Sequence, residues 1–332
     1  MNDILAAVHA NLVPRMNEIE LIKKYFIRQN SQCSDVIWGI GDDAAILRVP
    51  PNQDLVVTMD TLNTGVHFPE DTSAFDLGYK AAMVNLSDLA AMGAQPAWAT
   101  LSISLPEINE TWLAEFSRGL FTVLDRYQVS LVGGDTNRGP LSVTLQLQGF
   151  VPRDKALLRS GARVGDSIYV SGELGTAALA LQALQGKINL SKTELVEILP
   201  TLNRPEAQVE LGLALRDLAS SCIDISDGLS KDLKHILDSS GIGAIVDLAQ
   251  LPINPLLTKH LSLLDLYRLA VSGGDDYQLC FTIPGSRSGE LEQHLKGFPI
   301  TYIGKIIAGS ELSFRNAVGE MVELATTGFQ HF

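Results

Sequence analysis

The sequence contains little cysteine and little positive charge, and it has no long uninterrupted apolar run. Its three cysteines are scattered over 332 residues without the Cys-x-x-Cys spacing of a zinc site, so we expect a reducing, cytoplasmic setting. Acidic side chains outnumber basic ones by 38 to 25, and no Lys/Arg-rich segment is present to attract a nucleic acid. The most apolar stretch, residues 89–105, is interrupted by Gly93 and Pro96 and is too short for a membrane helix. We therefore expect partners other than nucleic acid or a membrane.

The length of the chain is sufficient for two domains. Its 332 residues are 46% apolar and exceed the size of one average domain. The short, polar and basic segment 152–164 predicts the passage between them. We therefore expect domains at residues 17–152 and 153–332, with residues 1–16 a leader or N-terminal extension outside the fold.

Helical and extended patterns alternate along the chain, which predicts an α/β (α+β) fold. Apolar residues recur at three- and four-residue steps between Ser73, a predicted N-cap, and Met92, and this spacing predicts a long helix. In the C-terminal half we expect further strands near Ala244, Leu269, Gln278 and Ile300.

Aspartates recur beside short apolar, strand-like segments, often next to glycine. The motifs are Gly41-Asp42-Asp43, Met59-Asp60-Thr61, Asn85-Leu86-Ser87-Asp88, Gly133-Gly134-Asp135-Thr136 and Asp224-Ile225-Ser226-Asp227-Gly228. Asp is a poor strand residue and a costly buried one, so its placement at predicted strand ends suggests turns that present carboxylates to one point. Such carboxylates would repel one another unless hard cations lay between them. Because Mg²⁺ takes one or two carboxylates plus substrate phosphates, the motifs predict several magnesium ions around a nucleotide.

Asp88 is the most informative of these residues. It lies inside a predicted helix among Leu86, Leu89 and Ala90, and a carboxylate beside an apolar face needs a partner. Each motif taken alone is compatible with ordinary Asp-Gly turn chemistry, whereas five together favour a metal site.

Competing nucleotide-binding motifs are weak or absent. The segment Gly39-Ile40-Gly41-Asp42-Asp43-Ala44 matches the glycine-rich turn of dinucleotide-binding folds, but two aspartates there would repel a pyrophosphate. The chain has no Gly-x-x-x-x-Gly-Lys-Ser/Thr motif, no kinase-type His-Arg-Asp set and no Gly-x-Ser-x-Gly elbow. The phosphates of a nucleotide must therefore be held in another way.

Seven segments, taken in order, resemble a known family. They are Gly-Ile-Gly-Asp-Asp-Ala, Thr-Met-Asp-Thr-Leu, His-Phe, Asn-Leu-Ser-Asp-Leu-Ala-Ala-Met-Gly-Ala, Gly-Gly-Asp-Thr-Asn-Arg-Gly, Asp-Ile-Ser-Asp-Gly-Leu and Ser-Gly-Gly-Asp-Asp-Tyr. Their combination is similar to the bacterial thiamine-monophosphate kinases, relatives of the aminoimidazole ribonucleotide and selenophosphate synthetases. The resemblance implies a homodimer with an N-terminal ATP- and magnesium-binding α/β domain that dimerises, a C-terminal α/β domain, and an active site between them.

The resemblance also implies an activity and a set of site residues. The reaction would convert thiamine phosphate and ATP into thiamine diphosphate and ADP, without a side-chain nucleophile or base. Magnesium ligands are implied at Asp43, Thr58, Met59, Asp60, Asp88, Asp135, Asp224 and Asp227. ATP contacts are implied at Gly134, Asp135, Arg159 and Ser226, and substrate contacts at His67, Asp275 and Phe329.

Three positions depart from the family's usual residues. Met59 stands where Thr or Ser is common and can offer only its carbonyl oxygen to a metal. Asp275 replaces the usual Glu and has a shorter reach, while Phe329 replaces Trp or Tyr and loses a polar group. These departures bear on substrate binding more than on metal binding.

Two other functions are compatible with the residues. A sibling enzyme of the same superfamily would use ATP on a ribonucleotide amide or on selenide, although no Cys- or Gly-rich N-terminal loop supports the latter. A non-catalytic acidic protein would bind cations or a nucleotide and leave ATP intact. Identification of the reaction product separates the three.

Overall fold

The computed structural model describes residues 16–28 and 34–324 of the chain. The N-terminal half comprises α1 (Glu18–Tyr25), β1 (Val36–Trp38), β2 (Ile46–Leu47), β3 (Gln53–Asn63), α2 (Ala74–Ala91), β4 (Gln95–Leu105), α3 (Glu110–Arg126), β5 (Ser130–Arg138) and β6 (Ser142–Pro152). The C-terminal half comprises β7 (Ser167–Ser171), α4 (Thr176–Leu184), α5 (Lys192–Asn203), α6 (Val209–Leu215), β8 (Ser221–Ile225), α7 (Leu229–Ser240), β9 (Gly243–Asp247), α8 (Pro255–His260), α9 (Leu263–Ser272), β10 (Gln278–Ile283), α10 (Leu291–His294), β11 (Ile300–Ile307), β12 (Leu312–Arg315) and β13 (Met321–Val322). The predicted α/β architecture is confirmed.

The N-terminal half is built on a four-stranded sheet with the strand order β3-β6-β4-β5. Successive side chains of a strand project to opposite faces. In β6, Val143, Leu145 and Leu147 are buried against helices, while Thr144 and Gln146 project from the other face. We call the helix-covered surface the near face and the opposite surface the far face.

Helix α2 is the central helix of the molecule. Ser73 caps it by accepting the backbone N–H of Asp76, as the sequence predicts, and Gly93 follows its end in a left-handed conformation. Side chains are buried on nearly every side of this helix because it packs between the sheet, α3 and the C-terminal half. Its contact with α3 is so close that a Cβ at Gly119 would overlap the Phe75 carbonyl oxygen.

The C-terminal half contains a seven-stranded sheet with the strand order β13-β12-β9-β11-β7-β10-β8. Leu279 and Phe281 of β10 belong to the same hydrophobic cluster as Leu86 and Leu89 of α2. The two halves therefore share one core, and α2 lies at their junction. None of the helices among the described residues is both long enough and apolar enough to cross a membrane.

Two predictions about secondary structure are wrong. Leu269 lies in α9 rather than in a strand, because Ser262 caps a helix whose buried residues Leu266, Leu269 and Ala270 follow helical spacing. The aspartates also do not all follow strand ends.

Three aspartates lie inside strands. These residues are Asp60 in β3, Asp135 in β5 and Asp224 in β8. The face on which a carboxylate projects, rather than the end of a strand, therefore determines what it can reach.

Candidate active site between the two halves

Three carboxylates lie together where β3, α2 and β8 meet. Asp60 pairs with Leu145 across the sheet and so projects on the near face, towards α2. Asp88 of α2 lies close enough to raise the pKa of both Asp60 and Asp224 of β8. Residues that are distant along the chain are thus brought together at the junction of the halves.

The electrostatics of this cluster are unfavourable for carboxylates alone. Burial, together with the charge of Asp88, raises the pKa of Asp60 to about 6. Burial raises the pKa of Asp224 to about 8, with Asp88 and Asp60 adding to the shift. Burial also raises the pKa of Asp88, although the Thr58 hydroxyl and the charge of Arg159 oppose this shift. The cluster therefore favours a proton or another cation.

Polar side chains orient two of these carboxylates. Thr58, on the near face of β3, donates a hydrogen bond from its hydroxyl to Asp88. Ser87 donates from Oγ to Asp224 Oδ2 at 2.8 Å, and both groups are buried. Arg159 is exposed, yet its charge acts on Asp88, so a guanidinium lies beside the cluster.

Asp135 and Met59 lie on the far face of the sheet. Asp135 pairs with Ser102, and Ser102 pairs with Thr144, the neighbour of the near-face residue Leu145. Asn137 donates a hydrogen bond to Asp135 Oδ2 at 3.0 Å. The Met59 side chain is 61% exposed on this same face.

Asp43 and Gly134 also belong to this region. Asp43 lies between β1 and β2, close in sequence to Ala45 and Leu47, which pack against a buried cluster on the far face that includes Val132 of β5. Gly134 directly precedes Asp135, and a Cβ at Gly134 would overlap the Leu101 carbonyl oxygen. The structure therefore does not place all the predicted aspartates on one face.

The loop after β8 is held by a buried carboxylate that sequence reasoning missed. Asp232 Oδ2 accepts the backbone N–H groups of Ser226, Asp227 and Gly228 at 3.1, 3.0 and 3.1 Å. Burial raises the pKa of Asp232 to about 7, and these three donors oppose the rise. The position of Asp232 in the first turn of α7, a usual place for an acidic residue, could have indicated this role.

A cavity of about 1030 Å³ opens beside this loop. Its lining includes His67, Lys80, Ser226, Arg268 and Asp275. The Nδ1 atom of His67 accepts the backbone N–H of Asn63 at 3.0 Å, so the neutral ring carries its proton on Nε2. The predicted substrate residues His67 and Asp275 therefore face one cavity, together with the predicted ATP residue Ser226. Phe329 lies outside the described residues.

A partly buried ion pair joins the two halves at the wall of the cavity. Lys80 Nζ of α2 lies 2.8 Å from Asp275 Oδ1, and the Tyr277 hydroxyl donates to the same oxygen at 3.1 Å. Sequence reasoning did not single out Lys80, although a lysine among the apolar residues of a long helix is the kind of signal that marked Asp88.

Asp60, Asp88 and Asp224, which we call the near-face cluster, have the chemistry that suits a hard divalent cation. Its groups are carboxylate and hydroxyl oxygens, and the carboxylates lie close together, with Asp224 buried and Asp60 and Asp88 partly buried. Among residues 16–28 and 34–324, no three acidic, His or Cys side chains are arranged to hold an ion unaided. Mg²⁺ usually completes its coordination with water and substrate phosphates, so the residues fit magnesium in the presence of a nucleotide.

Comparison with known families assigns both halves of the chain. Residues 41–151 match the family described as AIR synthase related protein, N-terminal domain, and residues 163–315 match AIR synthase related protein, C-terminal domain. The chain is also 48% identical over 318 residues to a thiamine-monophosphate kinase of Escherichia coli (strain K12), covering 95% of this chain and 98% of that protein. The chain belongs to the thiamine-monophosphate kinase family.

Solved structures agree with this assignment. A thiamine-monophosphate kinase from Stenotrophomonas maltophilia K279a superposes with a TM-score of 0.80 at 46% identity, over 85% of this chain and 92% of that one. A second structure, AaThiL complexed with AMPPCP and TMP, gives a TM-score of 0.75 at 30% identity, over 95% and 96% of the two chains.

Proposed function

We propose that this protein transfers the γ-phosphoryl group of ATP to thiamine phosphate, giving thiamine diphosphate and ADP, the last step of thiamine diphosphate biosynthesis. The observation that carries the proposal is the near-face carboxylate cluster beside a cavity lined by His67, Ser226 and Asp275. Membership of the family supports the same reaction. A sibling synthetase activity is not favoured, because the similarity to thiamine-monophosphate kinases extends over nearly the whole chain.

The acceptor needs no general base from the protein. The second pKa of a phosphate monoester is near ~6, so the attacking oxygen is already largely ionised at neutral pH. The main obstacle is the repulsion between two anions. The protein must therefore neutralise charge and align the two phosphates for direct in-line transfer.

The predicted metal residues would bind magnesium ions together with the ATP phosphates. These residues are Asp43, Thr58, Met59, Asp60, Asp88, Asp135, Asp224 and Asp227. When bound, Mg²⁺ supplies electrostatic stabilisation of the phosphoryl oxygens and orients them. Asp60, Asp88 and Asp224 support the proposal most directly because they lie together at the junction of the halves and are at least partly buried.

The remaining residues would bind the two substrates. Arg159 lies beside Asp88 and would add a positive charge next to the ATP phosphates. Gly134, Asp135 and Ser226 would complete the ATP contacts. His67, Asp275 and Phe329 would contact thiamine phosphate, whose cationic ring suits a carboxylate and an aromatic face.

A direct assay tests the proposed reaction. Purified protein, ATP, Mg²⁺ and thiamine phosphate are expected to yield equimolar thiamine diphosphate and ADP, quantified by chromatography with mass detection. Thiamine lacking the phosphate should give no diphosphate, because the acceptor is a phosphate oxygen. The absence of thiamine diphosphate under every metal condition defeats the proposal, and intact ATP would favour a binding protein.

We also propose that the protein forms a homodimer through the far face of the N-terminal sheet. Leu55, Val57 and Met59 alternate along β3 and are 44%, 52% and 61% exposed on this face. An apolar stripe of this kind on a sheet is typical of a protein interface. Light scattering at micromolar concentration is expected to give twice the mass of the chain, and a monomer at every concentration would refute the dimer.

We propose that the reaction takes place in the cytoplasm, because the sequence has few and scattered cysteines. The sequence has only three cysteines, scattered without the spacing of a zinc site or a disulfide framework. Cell fractionation with an antibody against the protein tests this assignment.

A further inference from the structure

Lys80 is a charged residue in an unfavourable position. Its side chain is only 4% exposed, and it projects from α2 to the wall of the cavity. Removing an ammonium group from water is costly unless a nearby anion compensates. The Asp275 carboxylate at 2.8 Å provides this compensation.

The position of Lys80 along α2 relates it to the carboxylate cluster. Ser87 and Asp88 follow it by seven and eight residues, which places all three on one side of an α-helix. The separation corresponds to about 10–12 Å along the helix axis. One side of α2 thus carries Asp88, a proposed metal ligand, and Ser87, which orients Asp224, towards its C-terminal end, and Lys80, at the cavity, two turns earlier.

The loop that carries Asp275 has a strained backbone. Asp275 and Tyr277 have φ angles of 66° and 48°, in the left-handed region that is unfavourable for residues other than glycine. Their backbone N–H groups donate to the carbonyl oxygens of Ser226 at 2.9 Å and Ile225 at 2.8 Å. Such strain persists only where the surroundings fix the conformation, and it is common at ligand-binding sites.

We propose that Lys80 is a positioning residue for the acceptor substrate: it fixes the Asp275 carboxylate in the cavity, in the orientation that contacts thiamine phosphate. This inference rests on the proposed function. The placement of the short Asp275 side chain depends on the groups that hold it. Lys80 and the Tyr277 hydroxyl hold the same carboxylate oxygen from two sides.

The Lys80–Asp275 ion pair also links the packing of the two halves to the binding of thiamine phosphate. Lys80 belongs to the N-terminal half and Asp275 to the C-terminal half. A second ion pair between the halves, Arg204 with Asp76, lies one turn earlier on α2 and provides a matched comparison. Arg204 is about half exposed, and neither partner lines the cavity.

The test compares Lys80→Met with Arg204→Met in steady-state kinetics. Lys80→Met is expected to raise the KM for thiamine phosphate at least about tenfold, because a charge-assisted contact that orients Asp275 is lost. Its KM for ATP should stay within about twofold of wild type, since Lys80 pairs with Asp275 and with none of the residues proposed to bind ATP. Arg204→Met should leave both KM values unchanged, because it removes an ion pair with Asp76 and a contact with the Phe75 ring, and neither partner lines the cavity.

The outcomes separate this inference from the proposed function. A wild-type protein without turnover defeats the proposed function itself. If the wild type is active and folded Lys80→Met has an unchanged KM for thiamine phosphate, the positioning role is overturned. An equal rise of this KM in Arg204→Met overturns it as well.

If Lys80→Met does not fold, Lys80→Arg decides, because it keeps the charge but moves it relative to Asp275. A KM for thiamine phosphate within about twofold of wild type in Lys80→Arg then overturns the proposal.

Discussion

The Asp88→Asn variant is expected to lose at least about a thousandfold in kcat while remaining folded, because metal-assisted charge stabilisation is worth several kcal/mol. Asp88 is the carboxylate common to the cluster: it accepts a hydrogen bond from Thr58, lies near Asp60 and Asp224, and is influenced by Arg159. Asparagine keeps the size and an oxygen acceptor but removes the negative charge that a divalent cation requires.

A matched control separates this effect from a general loss of stability. Asp125→Asn alters an exposed aspartate of α3 that pairs with Arg28 far from the cluster, and its kcat should equal that of wild type. Circular dichroism should show that both variants are folded. A kcat for Asp88→Asn within about threefold of wild type would show that the metal assignment is mistaken.

The Asp224→Asn variant is expected to change activity and stability in opposite directions. Its turnover should fall for the same reason as that of Asp88→Asn. In metal-free buffer near pH 9, however, its melting temperature should exceed that of wild type by roughly 5 °C, because a buried and repelled charge has been removed. Asparagine can still accept the hydrogen bond that Ser87 donates to Asp224.

The pH dependence of this difference follows from the direction of the pKa shift. The pKa of Asp224 is raised to about 8 in the folded protein, whereas an unfolded Asp titrates near ~3.9. Between these values the folded state holds a proton that the unfolded state has lost. Wild-type stability therefore falls as the pH rises from about 4 through about 8, while that of Asp224→Asn lacks this contribution.

Differential scanning fluorimetry across this pH range measures the effect. The two melting curves should converge near pH 4 and separate towards pH 9. Asp238→Asn, which changes an exposed aspartate paired with Lys234 on α7, should follow wild type at every pH. A wild type as stable as Asp224→Asn at pH 9, without metal, contradicts the account of the cluster.

Features with strong local signals could be predicted from the sequence. The N-cap at Ser73 and the length of α2 follow from side-chain chemistry and helical spacing, and the structure confirms both. The unusual position of Asp88 among apolar residues indicated a buried partner, and the structure provides several. A carboxylate in an apolar setting is informative because its burial needs compensation.

The convergence of the aspartates could be predicted only in part. Asp60, Asp88 and Asp224 do meet, but Asp135 projects on the far face of the sheet, with Asp43 in the same region. A shift of one residue along a strand reverses the face of a side chain, and sequence motifs do not specify register. The roles of these two residues remain predictions.

The groups that position the site were also not predicted. Ser87, Lys80 and Asp232 act through contacts with residues far away in sequence or with backbone N–H groups. Such contacts depend on how α2 packs between the two halves. Local sequence can mark Lys80 and Asp232 as unusual but cannot show which groups they contact, because the packing arises from a core shared by distant segments.

Diffraction from crystals containing Mn²⁺, a non-hydrolysable ATP analogue and thiamine phosphate tests the central claim most directly. Anomalous difference peaks are predicted at about 2.1–2.2 Å from carboxylate oxygens of Asp60, Asp88 or Asp224 and from the phosphate oxygens of the nucleotide. The acceptor phosphate should then lie towards Lys80 and Asp275. A nucleotide bound with its metal ions elsewhere, and the three carboxylates free of any peak, would contradict the account.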